Sequence, residues 1–169
     1  IKSLGRIDIL VNNAGIAPLE RTTEISKASW DRVMDTNLNS VFSLSQAVGQ
    51  QMIEKKVGNI INIASVYGKM ASSQSLHYCA SKAAIIQMTK ALALEWAPFN
   101  IRVNCIAPGL FQTDMTTEQQ SSEKHYKFLI NKIPLKRFGK PEEIVGSVLF
   151  LSSAASQYVT GSTLLIDGG

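Results

Sequence analysis

Only two cysteines occur in 169 residues, which excludes a disulfide-stapled scaffold. Cys79 and Cys105 lack metal-ligand spacing and read as small apolar residues in a reducing compartment. No apolar run approaches the ~20 residues that cross a bilayer, and no signal-peptide pattern is present. The expected location is cytoplasmic, with no membrane partner. Charge is sparse, at 18% of residues with a net of +4. Apart from Lys55-Lys56 and Lys136-Arg137 the basic residues are scattered, which argues against nucleic acid as a partner. Internal repeats, low-complexity segments and a candidate metal site are all lacking, and so is an initiating Met: the chain opens at Ile1 and is expected to be incomplete at that end. What remains is a 45% hydrophobic composition and enough length for one globular domain with a core.

Apolar runs alternate with helical periodicity. Ile1 to Arg6 reads as a helix end capped by Gly5. Ile7 to Val11 reads as a parallel strand buried on both faces, ending in Asn12-Asn13-Ala14-Gly15, either a turn lying close to a ligand or an ordinary strand-to-loop turn. Ser26 to Lys55 has helical spacing through Trp30, Val33, Met34, Leu38, Val41 and Phe42, with Gly58 closing it. Asn37 and Asn39 interrupt its middle. Asn competes for backbone partners, so this is either a kink that frees a carbonyl for water or an uninterrupted helix with a solvent-facing Asn. Ile60 to Ala64 is a second buried strand. Leu76 to Ala97, free of Gly and Pro, is a long helix that Pro98 ends. Ile101 to Ile106 is a third strand, broken by Asn104 and Cys105 and stopped by Ala107-Pro108-Gly109. Residues 113–138 are polar and irregular, with Tyr126, Phe128 and Leu129 spaced to cover something apolar; a mobile lid and a plain surface excursion both fit. Pro141 to Leu151 is a helix, and Ser162 to Ile166 is the last strand before Asp167-Gly168-Gly169. Such alternation implies an α/β fold with a parallel sheet and right-handed crossovers.

The chemistry concentrates between Ile60 and Ala84. Ser65 sits at a strand's carboxyl end, where open α/β sheets hold their ligands. Tyr78 and Lys82 fall at i and i+4 of the long helix, so a phenol and an ammonium share one face. A free tyrosine titrates near ~10, and a neighbouring cation favours the phenolate, bringing the group toward the range of a general acid–base catalyst. Among four tyrosines this spacing arises by chance often enough that the pair alone is weak evidence.

Asn12-Asn13-Ala14-Gly15, Asn37, Ser65, Tyr78 with Lys82, Pro108-Gly109 with Thr113, and Asp167-Gly168-Gly169 together resemble the short-chain dehydrogenase/reductase family, in order and at its usual intervals. The likeness covers nearly the whole chain. It implies residues 1–169 as the carboxyl-terminal part of one doubly wound Rossmann domain, strands four to seven of the family fold, with a lid at about 113–138. It also implies an oxidoreductase that interconverts a secondary alcohol and a ketone with NAD or NADP. Tyr78 would be the catalytic acid–base; Lys82 would lower its pKa and hydrogen-bond the nicotinamide ribose; Ser65 would donate to the substrate oxygen, and Asn37 would hold a water leading from Lys82. Asn13, Ala14 and Gly15 would lie near the cofactor ribose. Pro108, Gly109, the backbone at Phe111, and Thr113 would border the nicotinamide amide.

The family's Gly-rich pyrophosphate turn and its NAD-or-NADP selector precede the fourth strand and are not in this sequence. The 169-residue piece alone is therefore expected to bind dinucleotide poorly, and Ile7 to Val11 is expected to be an unpaired apolar edge. A non-catalytic scaffold or partner-binding fragment of the same fold stays open beside the enzyme. Within enzymes, the Ala107 to Thr116 stretch is similar to 3-oxoacyl-carrier-protein reductases, while Leu94-Glu95-Trp96-Ala97-Pro98 before Ile101-Arg102-Val103-Asn104 is similar to sugar-acid dehydrogenases. Relatives assemble as dimers or tetramers through two helices, here Ser40 to Lys55 and Leu76 to Ala97, and a homo-oligomer is expected. The small residues Ala80, Ala83, Ala84 and Ala91 suit either that contact or packing on the sheet.

Overall fold

Each apolar run becomes a strand of one sheet, and each stretch of helical periodicity packs against it. The structure is a computed structural model that describes residues 5–169. Strands β1 (Ile9–Asn12), β2 (Gly58–Ile63), β3 (Ile101–Pro108) and β4 (Thr163–Ile166) lie side by side in that order, all parallel. Parallel neighbours need crossovers. Helices α1 (Lys27–Met34) and α2 (Ser40–Lys55) connect β1 to β2, and α3 (Leu76–Trp96) connects β2 to β3. Between β3 and β4 come the short helices α4 (Thr117–Ser121) and α5 (Glu123–Ile130), then α6 (Val145–Ser152).

Two apolar layers result. Val48 and Met52 of α2 and Ala93 and Trp96 of α3 meet Ile60, Ile101 and Val103 on one face of the sheet. Farther along the same side, Val41, Ile85 and Ile86 pack with Ala64, Cys105 and Ala107. Leu151 of α6 meets Ile61 and Ile106 on the opposite face. β2 is buried on both faces, as its uninterrupted apolar run requires.

Several local expectations are corrected. β1 is not buried on both faces: Ile9 and Val11 are 44% and 41% exposed, because β1 is the edge of the sheet and α6 packs on β2 and β3. Asn104 and Cys105 do not break β3, which runs through to Pro108; Asn104 is accommodated because Nδ2 donates to Val159 O at 2.8 Å and Oδ1 accepts from Ser162 N at 3.1 Å. Gly58 does not close α2. Lys56 takes the left-handed cap position at φ 52°, while Gly58 is needed because a Cβ there would lie 2.3 Å from Met52 Sδ. Residues 113–138 are largely helical rather than irregular: Ser122 Oγ accepts from His125 N and starts α5, and Tyr126 packs on the buried Phe138 ring at 5.0 Å between centroids. Ile1 to Leu4 of the expected amino-terminal helix end lie outside the described residues.

The fit of α2 against α3 turns on one glycine. A Cβ at Gly49 would sit 2.5 Å from the Trp96 ring, whereas one at Gly146 in α6 would meet nothing within 4 Å. Gly49→Ala is expected to lower stability by about 1–2 kcal/mol, since overpacking outweighs the gain in helix propensity. Gly146→Ala should raise stability by about 0.5 kcal/mol. Urea midpoints of the two variants should move in opposite directions.

Candidate active site

Helix α3 presents Tyr78 and Lys82 to the carboxyl end of β2. Lys82 is 4% exposed; its Nζ donates to the Ile63 carbonyl at 2.8 Å and lies 5.7 Å from the centroid of the Tyr78 ring. Ser65 follows β2 and caps a short turn, Val66–Gly68, with its Oγ accepting from Tyr67 N at 3.1 Å. The Ser65 hydroxyl also stands close enough to the Tyr78 phenol to favour its ionised form. The turn lies so close to α3 that a Cβ on Gly68 would stand 2.7 Å from the Lys82 carbonyl oxygen. Backbone proximity thus fixes Ser65 relative to the helix bearing Tyr78.

Asn37 is fully buried, not solvent-facing. It sits in a π-helical turn, Asp35–Asn39, inserted between α1 and α2, and the extra residue per turn rotates its side chain inward. There its Oδ1 accepts from Ile16 N at 2.8 Å, while its Nδ2 donates to Ile16 O at 2.9 Å and to Ser81 Oγ at 3.1 Å. Ser81 Oγ in turn donates to the Tyr78 carbonyl at 2.8 Å. Gly15 closes the cluster: a Cβ on it would lie 3.3 Å from Lys82 Nζ and 3.5 Å from Asn37 Oδ1.

The electrostatics differ from expectation. Burial pushes the Tyr78 phenol above its ordinary value; the Ser65 hydroxyl opposes this without overcoming it, and Cys79 and Tyr67 add to the rise. Lys82 does not reverse the direction, and burial pushes its own ammonium down to about 8. Cys105, beneath the site, is pushed up to about 11 by burial and is an inert thiol at neutral pH.

Other predicted residues are spread along the same sheet edge. Asn13 and Ala14 are exposed beyond the end of β1, while Pro108, the last residue of β3, and Gly109 just after it are half-buried. Gly109 lies against Asp167, where a Cβ would come within 2.8 Å. Phe111 belongs to the core: its ring covers Gly139 and its carbonyl accepts from Thr116 Oγ1. Thr113 is exposed, its amide donating to Thr116 Oγ1 at 3.1 Å. Neither Phe111 nor Thr113 touches the Tyr78–Lys82 cluster.

A cavity of about 490 Å³ adjoins the turn that Ser65 caps, walled by Val66 and Tyr67, by residues 70–74, by Gly109 and Leu110, and by His125, Phe128, Leu129 and Lys132; Ser65, Tyr78 and Lys82 are not among its lining residues. Phe128 and Leu129 line this cavity beside polar residues, whereas Tyr126 packs on Phe138 instead.

A family model described as Enoyl-(Acyl carrier protein) reductase matches residues 1–169. The 3-oxoacyl-[acyl-carrier-protein] reductase of Thermotoga maritima is 45% identical over 169 residues, covering 100% of this chain and 68% of that protein. A crystal structure of gluconate 5-dehydrogenase from Burkholderia cenocepacia in complex with NADP and tartrate superposes with a TM-score of 0.97 at 38% identity, over 99% of this chain and 66% of that one. A 4-hydroxyisoleucine dehydrogenase mutant complexed with NADH and succinate gives 0.94 at 39%, over 96% and 67%. The chain belongs to the short-chain dehydrogenase/reductase family. It spans about two thirds of the length of these relatives.

The residues present fit one hydroxyl-bearing part of the family's dinucleotide, while the Gly-rich pyrophosphate turn lies outside this sequence. An ammonium has three donors; Lys82 directs one to Ile63 O, and Gly15 beside it has no side chain to fill the adjoining space. Reading the sequence missed three supports of this cluster. Ser81 links Asn37 to the Tyr78 backbone, yet between Ala80 and Lys82 it looks like any small helical residue. Asn12 and Asn62 pair across β1 and β2 at 2.8 Å, and Asn62 Nδ2 reaches Thr89 of α3 at 2.9 Å; a polar residue recurring in buried strands was the available signal. His77, fully buried beside Tyr78, had none.

Lys82 sets a pH dependence of stability. Its pKa falls from 10.5 to about 8 on folding, so between these values the unfolded chain binds more protons and stability rises with pH. From pH 7 to 9 this group should add about 1 kcal/mol. Cys105 acts oppositely only from about pH 9 upward, because its raised pKa makes the folded state retain the proton. Urea denaturation at pH 7 and 9 should show the rise in the wild type relative to Lys82→Met; equal pH dependence in both would contradict the assignment.

Proposed function

We propose that this chain holds the catalytic centre of an NAD(P)-dependent oxidoreductase that interconverts a secondary alcohol and a ketone. The observation that carries the reading is the convergence of Ser65, Tyr78 and Lys82 at the carboxyl end of β2, with Lys82 Nζ 5.7 Å from the centroid of the Tyr78 ring and the Ser65 side chain close enough to the phenol to favour its ionised form. In the reducing direction the substrate carbonyl oxygen accepts hydrogen bonds from the Ser65 hydroxyl and the Tyr78 phenol. As negative charge develops on that oxygen, Tyr78 gives it a proton as general acid. The Lys82 ammonium stabilises the phenolate left behind, and in oxidation the phenolate takes the hydroxyl proton. Asn37 orients this arrangement through Ile16 and Ser81 and presents the π-turn backbone at which a water can relay protons from Lys82. Asn13, Ala14, Gly15, Tyr78, Lys82, Pro108, Gly109, the Phe111 backbone and Thr113 are the residues that would hold the dinucleotide. When bound, it supplies the hydride exchange.

A small hydroxy or keto acid is the proposed substrate class, in preference to an acyl thioester. Lys132 is the only Lys or Arg among the described residues lining the cavity, and it stands with Ser72, Ser73, Gln74 and Gln119. Its ammonium rests 4.3 Å from the Phe128 ring centroid, an arrangement that leaves its hydrogen-bond donors for a carboxylate. Relatives named for gluconate and 4-hydroxyisoleucine support the same class.

Tyr78→Phe in the native protein should lower kcat by about a hundredfold to ten-thousandfold while leaving nicotinamide-dinucleotide affinity, read by fluorescence titration, within twofold. Retained turnover would refute the acid–base role. For the substrate class, kcat/KM for 5-keto-D-gluconate should exceed that for acetoacetyl-coenzyme A by about tenfold or more, corresponding to one favourable charged contact; the opposite preference would refute the acid-selective cavity.

A further inference from the structure

Helix α3 begins with a gap in its capping. Ser75 occupies the cap position but makes no side-chain hydrogen bond there, although first-turn amides need acceptors. The next available side chain fills the gap: His77 Nδ1 accepts from the Tyr78 amide at 3.0 Å. His77 is fully buried, so no water competes for that bond. An imidazole that accepts at Nδ1 carries its proton on Nε2. This second nitrogen makes no hydrogen bond but stands 3.7 Å from Glu20 Oε1, a charge that favours an N–H directed at it. Glu20 is itself held, its Oε1 accepting from Ser29 Oγ at the start of α1 and its amide donating to Gln74 O at 2.8 Å. Tyr78 is thus gripped on both sides, its amide by His77 and its carbonyl by Ser81.

We propose that His77 is a positioning residue for Tyr78: Nδ1 fixes the Tyr78 amide, and the Glu20 carboxylate selects the tautomer able to do so. A small rotation of the Tyr78 backbone is amplified at the phenolic oxygen, so loosening the amide displaces the proton donor without altering the cavity. Such misplacement acts on the chemical step rather than on binding. The kinetic part rests on the oxidoreductase reading proposed above; the spectroscopic part does not.

The test combines both in the native protein. Long-range nitrogen–proton correlation spectra at pH 7.5 should show His77 with Nδ1 unprotonated and Nε2 protonated; the opposite tautomer would overturn the proposal whatever the activity. His77→Leu, which has no acceptor, should lower kcat tenfold or more with KM within twofold. His77→Asn, whose side-chain oxygen can accept from the same amide, should restore most of that loss. Equal kcat in the Leu and Asn variants, whether impaired or unimpaired, would reduce His77 to a filler of space and overturn the proposal. An inactive wild-type protein with the expected tautomer would count against the oxidoreductase reading and leave the positioning role supported.

Discussion

A buried ammonium is the constraint on which this site depends. Taking a lysine charge out of water is costly unless the surroundings supply oxygen acceptors or room for them, and each neighbour of Lys82 answers that need. The Ile63 carbonyl, the last of β2, points at Nζ instead of at another strand. Gly15 leaves space where a methyl group would come within 3.3 Å. The π turn swings Asn37 over the same point, binding the loop after β1 to α3 through Ile16 and Ser81. Three segments far apart in the chain therefore meet at one charge, and a π turn, which is rare inside helices, persists because that meeting requires it.

The same economy of polar contacts runs through the sheet below. Buried strands usually avoid Asn, yet Asn12, Asn59, Asn62 and Asn104 all lie in this core. Asn12 and Asn62 join β1 to β2 and, through Thr89, to α3. Asn59 and Arg102 both donate to the Leu151 carbonyl at the end of α6. Because a buried amide gains little unless its partners are in place, these side chains specify how the helices seat on the sheet more than they add stability. The site at the strand ends inherits that registration.

What the sequence disclosed followed from how local each signal is. Leu76 to Ala97 was legible nearly to the residue because Gly and Pro are absent and Pro98 follows, and the i, i+4 relation of Tyr78 and Lys82 came with it. β2 was legible because both its faces are apolar. The inward turn of the Asn37 side chain was in neither of the two open readings, a kink that frees a carbonyl or a solvent-facing Asn, since a single inserted residue shifts the apolar spacing by too little to be read. Residues 113–138 were misjudged as irregular: their helices are short, with Ser122 capping α5 and Tyr126 packing on Phe138, a contact that periodicity cannot reveal. Ser81 and His77 were missed because their roles lie in bonds to the backbone of Tyr78, which composition does not encode.

The pKa directions at the site have one origin and a joint consequence. Burial favours the uncharged form of each group, so it raises the phenol and lowers the ammonium. At neutral pH the two nonetheless stand in opposite states: a phenol raised above ~10 is fully protonated, while an ammonium near 8 is still about nine-tenths charged at pH 7. Under the proposed chemistry that is the useful combination for reduction, a donor that keeps its proton until an oxygen beside Ser65 becomes basic, next to a cation ready to offset the phenolate. A phenol lowered in advance would have given its proton to water before the substrate oxygen needed it. Under that proposal the pair is poised by burial and released by the charge that develops on the substrate, rather than activated beforehand by the lysine.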